Sequence, residues 1–201
     1  MALTPSTMPE LGIPAPAFSL PDIDGRTVSL DDFRAEPALL VAFWCNHCPY
    51  VRHIREGFTT FARDYQPQGL GIVAINANDA TTHPDDGPEF MQVEANRHGF
   101  TFAYLYDESQ QVAQSYEAAC TPDFFLYDGL RNNGQRNNGQ RKLVYRGQFD
   151  AARPGNDAPV TGQDLRRAVD ALLAGQPVPE DQLPGIGCNI KWKPGNEPSS
   201  P

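Results

Sequence analysis

The chain has 201 residues, with 25 acidic against 16 basic side chains and a net charge of −9. That length suffices for one domain with a sizeable core, and the charge argues against partners bound through nucleic-acid phosphates or anionic lipid. No run approaches the ~20 apolar residues a membrane span needs, and four cysteines in a chain this long point to redox or metal chemistry rather than a disulfide scaffold.

In chain order, residues 1–15 are Pro-rich and read as an extended arm. The first residues carry neither a basic n-region nor an apolar h-region, so no secretory signal is expected and the expected setting is cytoplasmic. Residues 18–33 read as a hairpin turning at Asp24-Gly25. Residues 38–44 form an unbroken apolar stretch of strand length. A strand apolar on both faces belongs in a parallel sheet with helices on each side. Residues 49–64 have helical spacing, and residues 69–76 read as a second buried parallel strand. A polar loop over 77–88 leads into a helix over 89–98. A short strand follows at 102–106, then a helix over 108–118 with Val112 and Tyr116 on one face. Residues 123–127 and 142–149 look like antiparallel neighbours. Between them Arg131-Asn132-Asn133-Gly134-Gln135 repeats at once as Arg136-Asn137-Asn138-Gly139-Gln140. With no apolar residue to fold with, this duplication is expected to be a solvated, flexible tip. Residues 164–173 are the last helix. The main domain is expected over 16–175. The Pro- and Gly-rich tail, 176–201, is expected to pack on it through Ile186, Cys188, Ile190 and Trp192, which alternate on one face of a strand. Strands alternating with helices define an α/β chain.

The chemistry centres on Phe43-Trp44-Cys45-Asn46-His47-Cys48-Pro49. The strand before it and the helix after it put the Cys-x-x-Cys pair at a helix N-terminus. Unpaired backbone N–H groups and the helix dipole there favour an anion, and a thiolate is that anion. Cys45 is expected to have a lowered pKa and to be the nucleophile, with Cys48 resolving. His47 lies between them, where its ring favours the thiolate and makes the couple more oxidising. Pro49 suits the first helical turn. Trp44 is expected to shield the nucleophile.

A strand–CxxC–helix unit in an α/β chain reads as a thioredoxin-like redox site. The chain resembles that superfamily, and within it the redoxin (AhpC/TSA) branch that contains the peroxiredoxins. The likeness rests on the hairpin of residues 18–33, on Cys45 and Cys48, and on Thr121-Pro122-Asp123-Phe124-Phe125-Leu126-Tyr127-Asp128. The resemblance implies a thioredoxin-like fold, with a central mixed sheet flanked by helices, an N-terminal β-hairpin and a C-terminal extension. It implies a cis Pro122 facing the CxxC, with the Thr121 backbone free to pair with an extended substrate. Cys120 would then lie near the pair, either as a buried packing residue or as a partner for Cys188 in a second redox pair.

Departures from the relatives narrow the function. Peroxiredoxins carry a Thr three residues before the peroxidatic Cys; aligning on Cys48-Pro49 puts Cys45 there. Their Arg after the cis-proline region is missing from 123–128, so a peroxide site lacks two electrostatic parts. Thioredoxins carry a buried Asp where this chain has Ala42, so proton transfer falls to water, His47 or a further group such as Glu56. The expected function is a thiol–disulfide oxidoreductase acting on a disulfide-containing protein or small molecule, with an unknown thiol reductant. A peroxidase and a non-catalytic redox-sensing module are the alternatives. No cofactor is expected, and the chain is expected to be a monomer or homodimer. A zinc site is disfavoured because Cys120 and Cys188 are isolated in sequence.

Overall fold

In the computed structural model, residues 3–129, 131, 132, 135, 136 and 140–198 are described. Strand β1 is Leu3–Pro5, and β2 (Ser19–Pro21) pairs with β3 (Thr27–Ser29) as an antiparallel hairpin. Then come β4 (Ala38–Phe43), α1 (Pro49–Tyr65), β5 (Leu70–Asn76), α2 (Pro88–His98), β6 (Ala103–Tyr106) and α3 (Gln111–Ser115). They are followed by β7 (Cys120–Thr121), β8 (Asp123–Asp128), β9 (Arg131–Asn132), β10 (Gln135–Arg136), β11 (Leu143–Gly147), α4 (Gln163–Leu173) and β12 (Ile186–Asn189).

The main sheet has five strands in the order β11-β8-β4-β5-β6. β4, β5 and β6 run parallel, while β8 and β11 are antiparallel additions. β4 lies at the centre, and its side chains alternate between two cores. Ala38, Leu40, Ala42 and Trp44 face a layer that includes Phe58 and Phe61 of α1, Met91 of α2 and Leu165 of α4. Leu39, Val41 and Phe43 face Val112 and Ala113 of α3 together with Phe18 and Leu20. Burial on both faces is why this strand is apolar at every position.

α1 buries Val51, Ile54, Phe58, Phe61, Ala62 and Tyr65, one stripe at helical spacing. Cys48 is its N-cap and Pro49 its first residue, where the missing N–H costs nothing. The helix over 108–118 is shorter than its pattern suggests. Gln110 and Glu117, at φ +65° and +54°, bracket it. The Gln110 amide is drawn off to the carbonyls of Ala77 and Lys191, which holds the preceding loop out of the helix.

A second sheet has three strands in the order β1-β12-β7. The N-terminal arm and the tail therefore meet each other, with the tail strand in the middle. The expectation of one apolar face for the tail is corrected here. Cys188 joins the α1-side core, whereas Ile190 and Trp192 pack in the other. β9 and β10 pair within the duplicated segment; residues 133, 134 and 137–139 of the expected tip lie outside the described residues. Among the described residues, no helix is long and apolar enough to cross a membrane.

Candidate active site

β4 ends at Phe43 and α1 begins at Pro49, so Cys45 to Cys48 form the turn between sheet and helix. Cys45, Cys48 and Cys188 are all buried, at 0, 0 and 3% exposure. The Sγ atoms of Cys48 and Cys188 are 2.9 Å apart. Cys45 Sγ lies 3.3 Å from the Thr121 hydroxyl, and Cys48 Sγ lies 3.1 Å from the Thr121 carbonyl. The Thr121–Pro122 peptide bond is cis.

The three sulfurs act on one another, so Cys45, Cys48 and Cys188 titrate together. A hydrogen bond from the Cys45 thiol brings Cys48 down to about 5; burial opposes this, and the Cys188 thiol and the Val51 and Cys188 N–H groups add to it. The Thr121 carbonyl accepts from Cys48 as a thiol and so works against the anion. Two S–H and two N–H donors outweigh that one acceptor. Burial pushes the Cys45 thiol well up, and Cys48 and the Asp86 carboxylate push it further. Burial, with the Cys48 sulfur beside it, pushes Cys188 up to about 12. Cys48 is the residue at the helix cap. Cys45 lies further from the helix end and close to a buried carboxylate.

His47 is held by Asp86, with a ring nitrogen within 4.8 Å of Cys45 Sγ. Its Nδ1–H donates to the Asp86 carboxylate, which is fully buried. That carboxylate also accepts from the Asn46 N–H (2.8 Å), the His47 N–H (3.2 Å) and the Asn78 amide (2.7 Å). The Asn46 side chain donates to the Asp85 carbonyl and accepts from the Tyr104 hydroxyl. The His83 ring stacks on His47 with centroids 5.0 Å apart. Burial raises the Asp86 pKa, but hydrogen bonds from His47 and Asn78 outweigh it and hold the carboxyl below its ordinary value. Cys45 Sγ, a His47 ring nitrogen and an Asp86 oxygen lie within 4.8 Å of one another. This donor set is already committed, because a cation would have to displace the N–H donors that Asp86 holds.

Sequence reasoning missed Asp86 and Asn78. The available signal was the position of loop 77–88 at the carboxyl end of a parallel strand, where open α/β sheets build their sites. Several other expectations are corrected. Trp44 is wholly buried against Phe58, ring centroids 4.9 Å apart, and has no surface to offer a substrate. The Thr121 backbone is not free, because β7 pairs with β12, with Cys188 opposite Thr121 and Asn189 opposite Cys120. Glu56 is exposed and accepts from His98. Cys120 does not meet Cys188. Paired residues share a face of a sheet and neighbours along a strand alternate, so the two thiols point to opposite sides. Cys120 is buried near Asp123, and both burial and that carboxyl raise its pKa.

A parallel-led central sheet, a CxxC at the start of α1 and a cis-proline strand facing it define the thioredoxin-like fold. The chain belongs to the AhpC/TSA family, whose profile matches residues 11–136. It is 32% identical over 133 residues to the thiol-disulfide oxidoreductase ResA of Geobacillus thermodenitrificans (strain NG80-2), covering 62% of this chain and 67% of that protein. A crystal structure of a hypothetical protein, SMc02350, from Sinorhizobium meliloti 1021 superposes with a TM-score of 0.89 and 52% identity, over 96% of this chain and 100% of the other. A putative thiol:disulfide interchange protein DsbE from Chlorobium tepidum shares the fold, with a TM-score of 0.60 and 22% identity over 82% of this chain and 98% of the other.

Proposed function

We propose that the protein is a thiol–disulfide oxidoreductase working through the Cys45–Cys48 couple. Cys48 is the attacking thiolate and Cys45 the resolving thiol. The observation that carries this is the Cys48 sulfur at the cap of α1, 2.9 Å from the Cys188 sulfur, where the donors around it favour its thiolate. The Cys48 thiolate attacks one sulfur of a substrate disulfide, and the other sulfur leaves as a thiolate. Cys45 then gives up its proton and attacks the Cys48 sulfur of the mixed disulfide. The second substrate thiolate leaves, takes that proton, and the Cys45–Cys48 disulfide remains. A thiol reductant returns it to the dithiol, and the cycle uses no cofactor. His47, fixed by Asp86, is a positioning residue for the CxxC turn.

The substrate is a protein or small-molecule disulfide. The proposed setting is the cytoplasm, where thiol donors are plentiful. Thiol trapping of cell fractions tests that setting; a protein found oxidised outside the cytoplasm contradicts it. Insulin reduction with a thiol donor tests the activity. Wild type turns over, Cys48→Ser does not, and Cys45→Ser combined with Cys188→Ser stops at a mixed disulfide. Hydroperoxide consumption without insulin reduction would instead favour the peroxidase. Wild-type rates equal to those of Cys45→Ser in both assays would favour a non-catalytic redox sensor.

A further inference from the structure

The tail strand sits where a substrate is expected. β12 runs antiparallel to β7, next to the CxxC, and places Cys188 opposite Thr121. β1 closes its other edge, with Leu3 opposite Cys188. The segment is built for close approach. A Cβ on Gly187 would stand 2.0 Å from the Thr121 carbonyl oxygen, so a side chain there is incompatible with the pairing. The result is a cysteine delivered 2.9 Å from the Cys48 sulfur and buried with it. A packing residue does not require this glycine, this register and this sulfur contact together.

Resting on the oxidoreductase reading, we infer that Cys188 is a third redox-active thiol, and that β12 is a tethered stand-in for the substrate strand whose cysteine forms a disulfide with Cys48. In the exchange, Cys188 loses its proton and its sulfur attacks the Cys48 sulfur of the Cys45–Cys48 disulfide. The Cys45–Cys48 bond breaks and the Cys48–Cys188 bond forms. Cys45 leaves as a thiolate and takes up the proton that Cys188 released. The step is an isomerisation of one disulfide and needs no external oxidant. The same attack on a Cys48–substrate mixed disulfide expels the substrate thiolate. The Cys48–Cys188 state locks the tail over the β7 edge, and reduction frees the strand to be displaced by a substrate.

Cys45→Ser treated with oxidised glutathione tests this, because its Cys48 has no other CxxC partner. The expected product is a protein with no glutathione adduct, a Cys48–Cys188 linked peptide in its digest, and an alkylatable Cys120. Adding Cys188→Ser should leave the glutathione adduct on Cys48 in place. Gly187→Val in the Cys45→Ser background should also keep the adduct, because the strand no longer seats. Two results would overturn the inference. One is a persistent adduct in Cys45→Ser with Cys188 alkylatable; the other is an undiminished Cys48–Cys188 link in the Gly187→Val form. Wild type separates the two levels of the account. If it forms Cys45–Cys48 and reduces insulin while Cys45→Ser keeps its adduct, the oxidoreductase stands and the third thiol falls. If wild type forms no disulfide and reduces nothing, the underlying function falls first.

Discussion

At Cys48 the number of donors facing the sulfur decides its chemistry. Its thiol is brought to about 5 in the fold, against ~8.5 for a free cysteine. A group whose folded pKa is depressed stabilises the fold fully above its unfolded pKa and loses that contribution as pH falls through the folded value. The reduced protein should therefore gain stability relative to Cys48→Ser as pH rises from about 5 to ~8.5. Urea unfolding of both proteins under a reductant measures the difference, and a pH-independent gap contradicts the assignment. Iodoacetamide kinetics on the same pair should show the acidic thiol disappearing with Cys48, not with Cys45.

Asp86 carries the second prediction at this scale. Asp86→Ala removes the acceptor for the Asn46, His47 and Asn78 donors. Buried donors left unmet cost about 1–3 kcal/mol each, so a loss on the order of 3 kcal/mol is expected in denaturant unfolding. Asp86→Asn keeps an acceptor and removes the negative charge that raises the Cys45 thiol. It should lower the pKa of Cys45 in a Cys48→Ser background; no change there would remove Asp86 from the electrostatics of the site. The sign for Asp86 itself follows from its lowered pKa: its contribution is present above the ordinary carboxylate range and is lost in acid.

Among the elements, the contact of α1 with the sheet rests on Phe58. Its ring meets Trp44, Phe61, Phe102, Phe124 and Phe149, with centroids 4.9–5.9 Å away. Phe58→Ala should cost about 3–5 kcal/mol, read as a fall in the denaturant midpoint at unchanged slope. Cys48 is carried by the same helix, so the variant should also disturb the thiol reactivity; an intact reactivity at that loss of stability would uncouple the two. The elements themselves were largely legible. The runs in β4 and β5 are apolar at nearly every position, and α1 keeps a clean stripe, so length and period identify them. α3 was overread because its boundaries depend on the side chain of Gln110 reaching Ala77 and Lys191, a tertiary event with no local pattern. β12 was recognised as strand-like, yet its neighbours were not. Pairing is set by which edge is open in space, and alternation in a sequence carries no record of that.

For the molecule as a whole, the CxxC and the Thr121-Pro122 strand made the fold class readable. Which of two cysteines at a helix N-terminus is the more acidic depends on Asp86 and Cys188, far away in sequence. Cys188 is 140 residues from Cys48 and reaches it only because the tail returns across β7. The central claim is a reversible dithiol–disulfide couple at Cys45 and Cys48. Its most direct test is a redox titration of wild type in glutathione buffers, with alkylation and peptide mass spectrometry at each potential. The account predicts a Cys45–Cys48 disulfide that appears and disappears reversibly with a slope of about 30 mV per tenfold change, as for two electrons. It also predicts that this transition is absent in Cys48→Ser. A wild-type protein whose Cys45 and Cys48 stay alkylatable across the whole range would contradict it.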